Sequence, residues 1–312
     1  MAHNLESKYR NYKTWLKQRH LDDGTWVLNW DLRQNQFAEF GKGDSLFFTA
    51  IYLTALAVEG NQEEFAALLS ALNKQKYAKG MYPRYRERFD TSKDPYYPLM
   101  LALVCGMFAF PQNSLAKESL DDIIHALMEN DYRLKNPDGS ETTHGDMGAF
   151  RPIIACIQGR SSLKYFISLG IMPAYSFILH LVRRSYFNNF MIASQYLIYD
   201  ICTRGMLARG LLKLSVQGFA SVNRRNPYFL MIRDRIAGSR KHQAKVEQIL
   251  EFFPDDHLPN EGDHITNSDV LWQIDPRDWE TPNTEFIHEY SGADYMVLYQ
   301  FYKKHYRSDE AP

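Results

Sequence analysis

The stretch GKGDSLFFTAIYLTALAVEG, Gly41 to Gly60, places an aspartate between glycine and serine at the start of a long apolar segment. Asp44 stands where a polar loop gives way to this segment, which is apolar nearly all round when it is read as a helix. A helix with that pattern is buried on all sides in a globular protein. The stretch therefore predicts a core helix that begins beside Asp44.

The same arrangement returns along the chain. Asp94, Asp146 and Asp294 also stand where a loop gives way to an apolar segment, and successive aspartates are 50, 52 and 148 residues apart. The last separation is close to three steps of about 49 residues, so the chain holds about six units, each long enough for two helices. A period of this size indicates a helical-hairpin repeat, although the units near 196 and 245 show no comparable aspartate.

Helical patterns cover most of the chain, and alternating strand patterns are scarce. Apolar segments alternate with amphipathic ones such as NQEEFAALLSALNKQK, which suits two concentric layers of helices. We predict an all-α fold, an α/α toroid that is an incomplete or complete six-hairpin barrel, in a single domain over residues 1–312. Helices are expected near residues 5–18, 45–59, 62–77, 95–110, 115–131, 147–158, 162–182, 188–215, 226–235, 240–253 and 292–306.

Composition argues against several functional classes. The 312 residues carry a net charge of −1, whereas nucleic-acid-binding proteins usually have a basic excess. The most apolar segments are short for a membrane span or contain proline, so we expect no contact with a membrane. Three widely spaced cysteines favour neither a zinc site nor a disulfide framework, and the polar N-terminal segment is unlike a signal peptide. We expect a cytoplasmic protein without metal or cofactor, and carriage on a phage or virion stays open.

Charge is unevenly distributed along the chain. Residues 183–245 contain twelve Lys or Arg and two Asp or Glu, whereas residues 246–294 contain thirteen acidic residues and one basic residue. This pattern is typical of two solvated surfaces of opposite charge. It also fits a basic wall that attracts an anionic ligand, such as a uronic-acid polymer or a phosphate.

Three segments resemble the six-hairpin α/α-toroid superfamily of carbohydrate-active enzymes: GDSLFFTAIYLTAL, YPRYRERFDTSKDPYYPLMLAL and LWQIDPRDW…EYSGADYMVLYQFY. The same fold serves terpenoid cyclases, prenyltransferases and lanthionine-type cyclases. The Asp-rich boxes of the first group and the Cys/His zinc set of the other two are not visible in the sequence. The resemblance implies a glycoside hydrolase or a polysaccharide lyase, but fold does not fix function.

The candidate catalytic residues are Asp44, Asp94, Asp146 and His144. Each aspartate could instead cap a helix, which stabilises a protein by roughly 0.5–2 kcal/mol. A hydrolase needs two carboxyls facing each other, and inverting glycosidases hold theirs about 6.5–9.5 Å apart. The acid would be the less capped and more desolvated of the two, but the sequence does not assign it. His144 could be a general acid or base because histidine titrates near neutral pH.

The loop GMYPRYRERFDTSKDP, Gly80 to Pro95, alternates aromatic and basic residues. Tyrosine rings are stacking platforms for sugars, and arginine offers a forked donor to carboxylates. A loop held by internal Arg–Asp pairs is the alternative. The candidate substrate-binding residues here are Tyr82, Arg84, Tyr85, Arg86 and Asp90, with Asp294 at the start of the last helix.

Three further candidate binding residues lie elsewhere. Arg151, near the first turn of an apolar helix, needs a carboxylate partner, for which Asp146 or Asp94 is expected. Trp30 and Trp272 lie in the first and last long loops. An indole ring in such a loop is either a sugar platform or a staple that holds the loop to the body.

Three functions fit these residues. The favoured one is a glycoside hydrolase that acts on an oligo- or polysaccharide, neutral or anionic, by carboxylate acid/base chemistry. The second is a polysaccharide lyase that uses Tyr85 or His144 as its base and an arginine to neutralise a uronate. The third is a toroid without catalysis that binds a glycan or a protein. The sequence leaves the sugar, the linkage and the oligomeric state open.

Overall fold

A computed structural model describes residues 2–31, 34–39, 42–141, 147–160, 167, 187–222, 226–252, 288–289 and 291–307. These residues are mostly helical, which confirms the predicted all-α class. Within them, no helix is both long enough and apolar enough to cross a membrane.

Eleven α-helices lie in the described part of the chain. In chain order they are α1 (Ala2–Trp15), α2 (Ser45–Glu59), α3 (Gln62–Asn73), α4 (Tyr96–Ala109), α5 (Ser114–Glu129), α6 (Met147–Ile157), α7 (Phe187–Cys202), α8 (Met206–Val222), α9 (Pro227–Ala237), α10 (Gln243–Phe252) and α11 (Ala293–Tyr306). A π-helical turn over Leu16–His20 follows α1, and a 3-10 turn over Lys42–Asp44 leads into α2.

Five two-residue strands accompany the helices in the described residues. β1 (Leu21–Asp22) pairs antiparallel with β2 (Trp26–Val27). β3 (Trp30–Asp31) lies between β4 (Gln36–Phe37) and β5 (His288–Glu289) and is antiparallel to both. The β3–β5 pairing joins the segment before α2 to the segment before α11.

The single helix predicted over 188–215 is wrong, because the chain forms two helices there. α7 ends at Cys202 and α8 begins at Met206. Between them, Gly205 has a φ of +90°, in the left-handed region that favours glycine. A residue in that conformation cannot continue a right-handed helix, so the chain turns at this position.

The centre of the core consists of α2, α4 and α11. Nearly all of α2 is buried, and so are the first eleven residues of α4, Tyr96 to Gly106, and most of α11. These are the segments that are apolar all round in sequence. Burial of apolar surface stabilises the folded state by about 25 cal/mol for each Å² removed from water. Gly60 ends α2 in the left-handed conformation, with a φ of +86°, and donates its N–H to the carbonyls of Leu56 and Ala57.

The amphipathic helices α3 and α5 each bury one face, as their sequences predict. Both begin at a side-chain cap. Asn61 Oδ1 accepts from the backbone N–H of Glu64, and Asn113 Oδ1 accepts from that of Leu115. Such caps satisfy backbone donors that have no partner within the helix.

Helix contacts follow a closed order. α2 packs against α4, α4 against α7, α7 against α9, α9 against α11, and α11 against α2. The other helices flank these five: α3 contacts α2 and α5, α5 contacts α4, α6 contacts α7, and α8 contacts α7 and α9. In addition, α10 contacts α9 and α11, and α1 contacts α10 and α11.

The loops before α2, α4 and α11 meet at one end of the core. The backbone N–H of Leu46, at the start of α2, donates to the carbonyl of Arg84 at 3.0 Å. The hydroxyl of Tyr96, the first residue of α4, accepts from the backbone N–H of Tyr82 at 2.9 Å. Since β3 and β5 pair at the same end, we call this region the N-terminal rim of α2, α4 and α11.

Gly106 allows α4 to approach α3 closely. A Cβ atom at this position would lie 2.3 Å from Cζ of Phe65, whose ring is 1% exposed and therefore cannot swing away. We expect Gly106→Ala to lower the free energy of unfolding by roughly 1–2 kcal/mol, because overpacking exceeds the helix-propensity gain of alanine. Urea denaturation measures the change.

Gly210 in α8 is the matched control, because nothing lies within 4 Å of a Cβ built there. Gly210→Ala should leave the stability unchanged or raise it by up to about 1 kcal/mol. Stabilisation by both substitutions would contradict the close packing of α3 on α4.

Candidate functional site

Asp44 ends the 3-10 turn and occupies the N-cap position of α2. Its side chain makes no capping hydrogen bond to the helix. Instead, Asp44 Oδ1 accepts from Nη2 of Arg84 at 3.2 Å, and the side chain is 49% exposed. The capping role considered from the sequence is therefore not used, and the carboxylate is available to solvent.

Arg84 ties its own loop to the start of α2. Its Nε donates to the carbonyl of Gly43, its Nη2 contacts Asp44, and its Nη1 donates to Asp90 Oδ2 at 3.4 Å. The side chain of Asp90 is half exposed. One guanidinium thus bridges two carboxylates, which is the internal Arg–Asp pairing that the sequence offered as an alternative.

Arg86 and Tyr85 converge on a buried carboxylate, Asp22. Asp22 Oδ2 accepts from the Tyr85 hydroxyl at 2.6 Å and lies 3.2 Å from Nη2 of Arg86. Burial of the ring, and then the hydrogen bond to Asp22, raise the pKa of Tyr85 to about 12. Tyr85 therefore stays protonated at neutral pH.

The tyrosines of this loop point inward, which the sequence did not predict. Tyr82 and Tyr85 are 0% and 1% exposed, so neither can stack on a sugar ring. The Tyr82 hydroxyl donates to Asn73 Oδ1 at 2.7 Å, and burial raises the pKa of Tyr82 above its ordinary value. The ring that the loop presents to solvent is Phe89, which is 63% exposed.

Asp94 lies directly before α4, where Pro95 takes the N-cap position. Its side chain is partly buried, and its Oδ1 is screened from solvent. Because α2 and α4 pack against each other, Asp44 and Asp94 stand at the starts of neighbouring helices.

Arg151 has a partner that the sequence did not predict. Its guanidinium donates to Asp131 and lies 4.5 Å from the centroid of the Tyr132 ring, and Asp146, one of the two expected partners, lies outside the described residues. Asp131 follows α5, so this contact fixes the end of α5 to the first half of α6.

Trp30 and Asp294 are placed inward at the N-terminal rim. Trp30 lies between the Arg19 guanidinium, 5.0 Å from its ring centroid, and the Phe37 ring at 5.2 Å, which is the arrangement of a staple. Asp294 is 7% exposed in the first turn of α11. Three other predicted site residues lie outside the described residues: His144, Asp146 and Trp272.

The sequence did not reveal a buried polar cluster beside Trp30. His20 and Glu289 are both 0% exposed, and His20 Nε2 lies 3.0 Å from Glu289 Oε1. His20 Nδ1 lies 2.7 Å from the carbonyl of Leu28, which can only accept. His20 thus bridges the carbonyl of Leu28 and the carboxyl group of Glu289.

Two further contacts hold Glu289 in place. Trp15 Nε1 donates to Oε1, and Arg19 Nη1 forms an ion pair with Oε2 at 3.3 Å. The cluster therefore binds the end of α1 and the following turn to β5. No local motif could have shown it, because 269 residues separate His20 from Glu289.

No group of three or more His, Cys, Asp or Glu side chains among the described residues is arranged to hold a metal ion. Comparison of the chain with protein-family models, with curated proteins and with solved structures gives no match.

Proposed function

We propose that this chain is an α/α toroid and a glycoside hydrolase whose active site is the N-terminal rim of α2, α4 and α11. Support for the toroid comes from the closed order of contacts among α2, α4, α7, α9 and α11, with the amphipathic helices against them. Helices in that order would bring several helix starts to one mouth, where residues from distant parts of the chain could act on one substrate.

The observation that carries the proposed chemistry is the placement of Asp44 and Asp94. Packed helices have axes about 8–10 Å apart, and the proposal requires the two carboxylates at these neighbouring helix starts to face each other across a gap of about that size. Inverting glycosidases hold their acid and base about 6.5–9.5 Å apart. A gap of that size would leave room for one water beside the bond to be cleaved.

The surroundings of the two carboxyls assign the two roles. Burial favours the protonated form of a carboxyl group, and one oxygen of Asp94 is screened from solvent, whereas the Asp44 side chain is 49% exposed and pairs with Arg84. Asp94 is the general acid, which donates its proton to the glycosidic oxygen as the bond to the anomeric carbon breaks. Asp44 is the general base, which takes a proton from the water that attacks that carbon from the opposite face.

Substrate recognition in this proposal uses the exposed parts of the Gly80–Pro95 loop. Phe89 offers the stacking surface that Tyr82 and Tyr85 do not. Arg86 is about two-fifths exposed, so its guanidinium can reach a ligand as well as Asp22. An oligo- or polysaccharide that carries carboxylates fits this combination of an aromatic ring and a cation.

A lyase is less well supported. A tyrosine base must lose its proton to act, whereas the Tyr85 hydroxyl is buried, donates to Asp22, and has a pKa raised to about 12. A carboxylate pair at the rim needs no such proton loss from a phenol.

Incubation with a panel of neutral and uronate-containing oligosaccharides tests the reaction type. We expect new reducing ends without ultraviolet absorbance from an unsaturated product, and we expect Asp44→Asn to abolish their release because no base would activate water. An unsaturated product would identify a lyase instead. Glycan binding with no product from any member of the panel would identify a toroid without catalysis.

A further inference from the structure

A pocket of about 590 Å³ opens at the end of the core opposite to Asp44. Its walls come from the C-terminal ends of α2, α4, α7, α9 and α11, the five helices of the closed contact order. α2 has 15 residues, so the pocket lies about 20 Å from Asp44 along that helix. A volume of this size suits a small organic molecule, for which binding pockets measure about 300–1,000 Å³.

The pocket lining combines apolar walls with an excess of cations. Its apolar surface includes Val58, Phe108, Ile201 and Phe301. Its charged residues, within the described part of the chain, are three cations and one carboxylate: Arg209, Arg235, Lys304 and Asp200.

Asp200, the one carboxylate among the described residues that line the pocket, is already neutralised. Asp200 Oδ2 accepts from Arg235 Nε at 2.8 Å, and Asp200 Oδ1 lies 3.5 Å from Arg209 Nη1. Lys304 forms no ion pair with a carboxylate in the described part of the chain. The side of the pocket near Lys304 therefore carries positive charge that protein groups in this part of the chain do not balance.

Two neighbouring groups show how the cations converge on the pocket. Burial raises the pKa of the Cys105 thiol to about 12, although Arg235 and Lys304 act in the opposite direction. His305 Nε2 lies 2.9 Å from the Ser239 carbonyl, and burial is the first cause that lowers the pKa of His305. Cys105 is thus an uncharged wall, and the charge of the pocket resides on the arginines and the lysine.

Cations at helix C-termini can simply complement the helix dipole. That explanation covers Arg235 and Lys304, which lie in the last turns of α9 and α11. Arg209 lies in the first turn of α8, but its Nη2 donates to the carbonyl of Asp200 in the last turn of α7 at 3.0 Å, so it too complements a helix C-terminus. Helix ends therefore account for where these cations lie, but the described residues that line the pocket still set three cations against the single carboxylate of Asp200.

We propose that this pocket binds an amphipathic organic anion, whose carboxylate or phosphate group contacts Lys304 and Arg209 while its apolar body lies against Phe108 and Phe301. The basic residues from 183–245 supply part of the charge, as the sequence pattern suggested for an anionic ligand. The site is separate from Asp44 and Asp94, and its existence does not depend on glycoside hydrolysis.

Isothermal titration calorimetry of the full chain with decanoate, decyl phosphate and decanol tests this site. We expect one equivalent of either anion to bind at least tenfold more tightly than decanol. Lys304→Glu should weaken binding of the anions at least tenfold, because it reverses the charge at the mouth. Lys303→Ala is the matched control, because Lys303 is the preceding residue and pairs with Glu6 on the surface at 3.0 Å.

Each outcome of the titration either supports or overturns the proposed anion site. Tighter binding of decanoate or of decyl phosphate identifies the preferred head group, and both results support the proposal. Absence of binding to the unmodified chain, equal affinity for decanol, or unchanged affinity in the folded Lys304→Glu variant would overturn it. Binding of inorganic phosphate as tightly as decyl phosphate would show that the apolar body contributes nothing to affinity, and it would also overturn the proposal of an amphipathic ligand.

Discussion

Asp94→Asn should lower the rate of glycan hydrolysis by about 10²–10⁴-fold, the usual contribution of a general acid or base. The amide cannot give a proton to the departing oxygen, so bond cleavage must proceed without acid assistance. Initial rates with a natural oligosaccharide measure the effect. The substitution keeps the size of the side chain, so the thermal unfolding midpoint should change little.

A substrate with an activated aryl leaving group separates the acid from the base. Such a group departs without protonation, so Asp94→Asn should retain most of its activity on an aryl glycoside, whereas Asp44→Asn should not. Asp121→Asn, an exposed change on α5, is the control for general effects of charge. Equal losses by both rim variants on both substrates would contradict the assigned roles.

Asp234→Ala should lower the free energy of unfolding by about 3–5 kcal/mol, as expected when one partner of a buried, hydrogen-bonded charge is removed. Asp234 is fully buried. Its carboxylate accepts from the backbone N–H of His242 at 2.6 Å, from Ser239 Oγ at 2.8 Å and from the Tyr306 hydroxyl at 2.9 Å. His242 Nδ1 lies 2.8 Å from Oδ1, the oxygen that also accepts from Ser239. These groups would lose their acceptor.

The matched control is Asp121→Ala. Asp121 pairs with Lys117 on an exposed helix face, where solvent screens the ion pair and its contribution to stability is small. Guanidinium denaturation should show a large loss for Asp234→Ala and almost none for Asp121→Ala. Similar small losses would mean that the hydrogen bonds around Asp234 are not formed.

The effect of Asp234 should depend on pH. Burial alone would raise its pKa, but hydrogen bonds from His242, Ser239 and Tyr306 outweigh burial and lower the pKa below its ordinary value. A carboxyl with a lowered pKa stabilises the folded state above its unfolded pKa of about 3.9 and loses that contribution as the pH falls. The stability gap between the unmodified chain and Asp234→Ala should therefore be full at pH 7 and shrink below about pH 4.

Helices were predictable where pattern and local chemistry agreed. The bounds of α2 match the sequence prediction because an apolar segment lies between Asp44 and the helix-ending Gly60. The break between α7 and α8 was missed because apolar residues continue on both sides of Gly205, and periodicity alone does not show a left-handed φ. Two-residue strands such as β3 are too short to give an alternating pattern.

The candidate site was predictable in part. A carboxylate at the start of α2 and another just before α4 follow from the repeat, but the partner of Asp44 does not. The inward direction of Tyr82 and Tyr85 could not be predicted from the sequence. A loop without a regular period does not indicate whether a tyrosine ring faces solvent or the core. Contacts between distant segments, such as His20 with Glu289, are set only by the folded chain.

The central claim is that Asp44 and Asp94 act across a gap that holds one water. The most direct test is proton NMR of the first product formed from an oligosaccharide of known anomeric configuration, recorded before mutarotation. The account predicts inversion at the anomeric carbon, because carboxyls separated by about 6.5–9.5 Å admit a water between them and the sugar. Retention of configuration would contradict it, since that outcome requires a carboxylate close enough to bond to the sugar itself.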